Sequence, residues 1–98
     1  MNRDNVIAIL RTHEGELRHR GVAHAALFGS TARGDERAGS DLDILVDIAP
    51  EAEVSLYGYV GIVQFIASLF SGPVDVVERD ALLPSVRQSA EREAVLAF

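Results

Sequence analysis

Ninety-eight residues with nine basic and fifteen acidic side chains, a formal charge of −6 and 48% hydrophobic content describe one small soluble domain over 1–98, with no length left for a second, substrate-binding core. Cysteine is absent, which excludes disulfides, thiolate zinc sites and a Cys nucleophile, and all nine basic residues are Arg, which excludes a Schiff-base or P-loop lysine. The acidic balance argues against stable binding to a long phosphate backbone, and the polar start Met1-Asn2-Arg3-Asp4-Asn5 shows no secretory signal, so a cytoplasmic protein is expected.

From Asn5 to Arg20, Val6, Ile7, Leu10 and Leu17 fall near one helical face, which predicts one helix capped by Asp4, weakened at Gly15 and stopped at Gly21. Val22 to Phe28 is a short apolar run bounded by glycines and reads as a buried strand ending at Gly29-Ser30. Thr31 to Ser40 reads as a helical turn followed by a surface loop. Ser40-Asp41-Leu42-Asp43-Ile44-Leu45-Val46-Asp47-Ile48 alternates acids with branched apolars, the pattern of a strand with one wet face.

Pro50 to Glu53 breaks the chain. Val54 to Phe70 is apolar on nearly every side, yet at seventeen residues interrupted by Ser, Gly and Gln it falls short of the roughly 20 needed to cross a bilayer, so a core helix is expected and no membrane. Leu56, Val60, Val63, Ile66 and Phe70 form its candidate core stripe. Tyr57, Gly61, Phe65 and Leu69 are then left on a neighbouring face, a candidate surface for a protein partner or for self-association. Val74 to Glu78 is a β-branched strand carrying Asp75, Pro84 opens a helix to about Glu93, and 94–98 closes as an edge strand. The order is α-β-α-β-α-β-α(-β), an α/β arrangement.

Three features converge on one chemistry. Asp41 and Asp43 lie at i and i+2 of a strand, so they share a face with Cα atoms about 6.6 Å apart and can lean on one cation. Mg²⁺ suits such a pair, because it takes one or two carboxylates with waters and substrate phosphates, and it serves phosphoryl and nucleotidyl transfer. Gly29-Ser30 follows a strand and opens a helical turn, where free N–H groups can meet a phosphate. Asp75 sits between valines, where an unpaired acid is costly. Two of these features also have a plainer reading: a solvated strand face for Asp41 and Asp43, an ordinary turn for Gly29-Ser30. Asp47, about 13 Å beyond Asp43, reads as a solvated acid. His13, His19 and His24 show no ligand spacing and read as surface or packing residues, and no base is placed beside Ser30 for a Ser-His-Asp arrangement.

Leu27-Phe28-Gly29-Ser30-Thr31-Ala32-Arg33-Gly34, then Ser40-Asp41-Leu42-Asp43-Ile44-Leu45-Val46, resembles the signature of the DNA polymerase β-like nucleotidyltransferase superfamily, and within it the minimal nucleotidyltransferase (MNT) branch. Gly72-Pro73-Val74-Asp75-Val76-Val77 is similar to that branch's third-carboxylate strand, so the resemblance spans nearly the whole chain. It implies a small mixed β-sheet flanked by helices and transfer of a nucleoside monophosphate, usually AMP from ATP, with Mg²⁺. On matching positions, Gly29 and Ser30 hold the triphosphate, Asp41 and Asp43 ligate metal, and Asp75 completes the site and helps deprotonate the acceptor. Arg33 either contacts phosphate or braces the loop through a carboxylate such as Asp35. MNT proteins of this length are typically encoded beside a HEPN-domain toxin. The implied function is therefore an antitoxin that adenylylates a hydroxyl, a Tyr, of that ribonuclease; the alternative is an antitoxin or assembly subunit that acts by binding alone.

Overall fold

The computed structural model describes residues 2–34 and 41–98. The chain opens with two short helices, α1 (Arg3–Thr12) and α2 (Glu14–His19), where the sequence suggests one. The cap is Asn2, whose side chain accepts the Asn5 N–H at 2.9 Å, and not Asp4, which sits inside the first turn. The break falls at His13 rather than Gly15. The ring Nδ1 of His13 lies 2.9 Å from the Ile9 carbonyl oxygen, and its backbone N–H reaches both Ile9 and Leu10. Turning there lets Val6, Ile7 and Leu10 of α1 and Leu17 of α2 enter the same core.

Gly21, at φ +107°, turns the chain into β1 (Val22–Phe28) where a Cβ would stand 2.5 Å from Val54 Cγ2, so only glycine fits. α3 (Gly29–Arg33) follows directly, then residues 35–40, which lie outside the described residues together with the proposed Asp35 contact. β2 (Leu42–Ile48) leads through a Pro50–Ala52 turn to α4 (Leu56–Ser68), β3 (Val74–Glu78), α5 (Pro84–Glu93) and β4 (Val95–Leu96). The sheet has the order β3-β2-β1-β4, with β2 parallel to β3 and β1 antiparallel to both β2 and β4. It is the mixed sheet with flanking helices that the resemblance implies.

The pleat gives this sheet two unlike faces. Ala25, Leu27, Leu42, Ile44 and Val46 meet Val6, Leu10, Leu17, Ile62 and Ile66 in a dry core against α1, α2 and α4. The opposite face carries Ala26 opposite Leu45, Phe28 opposite Asp43 and His24 opposite Asp47, with Glu91 of α5 and Ala94 just past its end beside it.

α4 departs from its expected orientation. It buries Ile62, Ile66 and the following Phe70, while Leu56, Tyr57 and Val60 are exposed, Leu56 by 77% and Tyr57 by 90%. Phe65 is not left bare: it packs against the core edge-on to the His13 ring and beneath the Arg20 guanidinium, 4.7 Å from the ring centre. Nothing charged lies between Val54 and Val74, so the sequence offers no polar face from which the buried stripe could be read. No helix among the described residues is long and apolar enough to cross a membrane.

Candidate active site

The site forms where β1, β2 and β3 present the same end of the sheet. Parallel pairing places Asp43 beside Asp75 on the neighbouring strand, and antiparallel pairing places Phe28, the residue before Gly29, on its other side. Asp41 precedes β2 by one residue and is exposed, two positions before Asp43 and therefore on its face. Asp41 and Asp75 are each within electrostatic reach of Asp43: burial, then Asp75, then Asp41 hold the Asp43 carboxyl above its ordinary value of 3.8, while Arg33 pulls it the other way. Asp75 is exposed on the outermost strand, so its significance lies in this register and not in the cost of burial inferred from its valine neighbours.

Gly29 is pressed against this cluster. Its φ is +76°, and a Cβ there would run into the Asp43 carboxylate, coming within 3.2 Å of its Cγ. Both the left-handed backbone and the close approach therefore require glycine. Thr31 and Ala32 bury themselves behind the turn, and Arg3 donates from Nη1 to the Ala32 carbonyl at 3.1 Å, fixing α3 against α1. Ser30 lies in the first turn of α3. Arg33 ends α3 and pairs with Glu93 at 3.0 Å, a partner sixty residues away on α5 that no local pattern singles out.

The donor set fits a hard divalent cation. It offers carboxylate oxygens alone, and mutual repulsion among them is what a cation would relieve. Among the described residues no group of three or more His, Cys, Asp or Glu side chains is arranged to hold a metal ion by itself. A Mg²⁺ bound at Asp41, Asp43 and Asp75 would need water and phosphate oxygens to complete its shell.

Asp47 stands apart, as its spacing suggests, but it is not simply solvated. It is half-buried, with Arg79 Nε 2.8 Å from its carboxylate, close enough for an ion pair although the N–H is not aimed for a hydrogen bond. With His24, Leu45, Glu91 and Leu96 it lines a cleft of about 280 Å³ at the far end of the same face. Tyr59 of α4 is a second residue the sequence did not mark. Burial and the Glu78 carboxylate hold its hydroxyl above the ordinary 10.0, with a smaller push from Asp75.

Comparison with known proteins places the chain in a family. The family model for a nucleotidyltransferase domain matches residues 10–97. Protein adenylyltransferase MntA of Thermococcus cleftensis is 34% identical over 93 residues, covering 94% of this chain and 92% of the relative. A solved structure provisionally described as a minimal nucleotidyltransferase superposes with a TM-score of 0.82 at 28% identity, covering 97% of this chain and 95% of the other. This chain belongs to the minimal nucleotidyltransferase family. The nucleotidyltransferase also shares its fold, at a TM-score of 0.70 and 22% identity, with a chain from a toxin–antitoxin structure containing AMP-PNP, over 90% of this chain and 72% of that one. As an enzyme of this family, the minimal nucleotidyltransferase carries its two acid-bearing strands side by side and its glycine turn against them.

Proposed function

We propose that residues 1–98 form one domain acting as a Mg²⁺-dependent protein adenylyltransferase, an antitoxin that moves AMP from ATP to a hydroxyl, that of a Tyr, on a HEPN-type ribonuclease toxin and so silences it. The observation that carries this reading is the pairing of Asp43 with Asp75 across β2 and β3, with Gly29 closed against Asp43. The names of the relatives support the acceptor class and the toxin–antitoxin setting. Asp41 and Asp43 are the metal ligands, with Asp75 completing the set. A bound Mg²⁺ would neutralise charge on the phosphates and help pyrophosphate depart.

The chain's own residues do the rest. Backbone N–H groups at Gly29 and Ser30 hold the triphosphate, and the missing Cβ at Gly29 lets it approach the carboxylates. Arg33, within electrostatic reach of Asp43, faces the phosphates. The acceptor oxygen attacks the α-phosphorus, a new O–P bond forms, the bridging P–O bond to the β-phosphate breaks, and Asp75 accepts the hydroxyl proton. Positioning and fixed charge supply most of the acceleration.

The test is the intact mass of the co-expressed partner after incubation with this chain, Mg²⁺ and ATP, beside an Asp41→Asn/Asp43→Asn control. An AMP-sized increment made only by the unaltered chain is the expected result. No increment, with the partner bound and silenced equally by both versions, overturns the enzymatic reading in favour of an antitoxin that works by binding.

A further inference from the structure

We propose that Glu93 is a positioning residue for nucleotide binding: through its ion pair with Arg33 it aims the guanidinium at the triphosphate and keeps it off the carboxylates that must remain open to the cation. The inference rests on the reading of Arg33 as a phosphate contact. Its basis is the 3.0 Å bridge from Arg33 Nη1 to Glu93 Oε2, which ties the end of the glycine-turn helix α3 to the end of α5.

Three features of Glu93 point the same way. It is the last residue of α5, where a negative charge opposes the helix dipole, so its local effect on the helix is unfavourable and another interaction must account for the placement. It lies one turn beyond Ala90, which is buried, so it shares the face of α5 turned toward the protein. It is also at the site end of the sheet, because β4, which starts two residues later, pairs Val95 with Leu27, next to Phe28 and Gly29.

The need for such a residue follows from the charges. Asp41 and Asp75 both bear on Asp43, and Arg33 is near enough to lower the Asp43 carboxyl. An arginine beside such a cluster can settle onto it as a bidentate partner, occupying the oxygens that a cation needs. Glu93 holds Arg33 Nη1 with a carboxylate that is not part of the cluster. Both side chains are close to half exposed, so the pair contributes little to stability, and its consequence is the direction in which the guanidinium points.

The experiment is calorimetric titration of the whole chain with AMP-PNP in the presence of Mg²⁺, alongside melting temperatures, for Glu93→Gln, Glu93→Asp, Arg33→Gln and the Glu93→Gln/Arg33→Gln pair. Glu93→Gln is expected to weaken AMP-PNP binding by up to about fivefold, the upper range for an exposed pair, without lowering the melting temperature. Glu93→Asp should recover part of the loss. In the Arg33→Gln background, Glu93→Gln should change nothing further, since a residue acting through Arg33 has no route left. Undiminished binding by Arg33→Gln would overturn the phosphate assignment of Arg33, and the inference with it. If Arg33→Gln weakens binding but Glu93→Gln leaves it unchanged, tightens it, or acts equally in both backgrounds, the positioning role alone is wrong. A melting temperature that falls while affinity holds would reduce the bridge to a structural tie.

Discussion

The two faces of the sheet are built from the same strands yet obey different rules. On the α1, α2 and α4 side, Leu27, Ile44, Val46, Ile62 and Ile66 are sealed from water, and close-packed apolar burial supplies most of the stability. On the α5 side the strands carry Ala26 and Leu45 but also Asp43 and Asp47, and two arginines, 33 and 79, are drawn in beside them. A chain this short can maintain a crowded carboxylate site because the opposite surface of the same strands carries the fold. The alternation of β2 keeps the two tasks one residue apart, Asp43 facing one way and Ile44 the other.

That division can be broken most sharply at Asp43. Asp43→Asn is expected to lower AMP transfer at least about a thousandfold, equivalent to about 4 kcal/mol, while the metal-free protein unfolds no earlier than the parent. Initial rates of AMP incorporation beside scanning calorimetry check both halves. Ile44→Ala is the mirror case: a loss of about 2–5 kcal/mol in urea unfolding, with AMP-PNP affinity of the folded protein retained. If Ile44→Ala left stability intact, the core would lie elsewhere.

Gly29→Ala sharpens the comparison because it touches both tasks at once. The positive φ and the collision with Asp43 should cost about 1–3 kcal/mol of stability and also displace the carboxylate, so transfer and melting temperature fall together. The pH dependence is a gentler probe. Asp43 has its folded-state pKa raised above 3.8, so the folded protein holds that proton more tightly than the unfolded chain does. Its contribution is favourable at low pH and is lost as pH rises through the folded value, leaving a net cost at neutrality. Metal-free Asp43→Asn should therefore melt above the parent at pH 7, with the gap closing as pH drops below the ordinary carboxylate range. Added Mg²⁺ should stabilise the parent more than the variant. The smallest effect is expected at Tyr57, on the exposed turn of α4: Tyr57→Ser should change unfolding free energy by no more than about 0.5 kcal/mol.

How much of this was legible depended on whether neighbouring residues differed in polarity. β1 and β2 stood out because glycines bound one and acids alternate along the other, and both fall where the pattern places them. The helix over 84–93 was announced by its proline. α4 was legible as a helix but not in its rotation: with no charge to mark a wet side, its buried stripe is chosen by the sheet it packs on, and Ile62 takes the place expected of Val60. The break at His13 was hidden because it arises from a ring bonding back to a carbonyl and from the need to seat Leu17, neither of which has a local signature.

The candidate site divides in the same way. That Asp41 and Asp43 share a face and that a glycine turn follows β1 can be read from adjacent residues, since side-chain alternation and backbone freedom are local properties. That Asp75 stands beside Asp43, that Asp47 is paired with Arg79, and that Glu93 reaches Arg33 is settled by the folded chain. Those meetings join residues separated by 32, 32 and 60 positions. They depend on strand register and helix packing, which are set by the burial of the opposite face and not by the residues that meet.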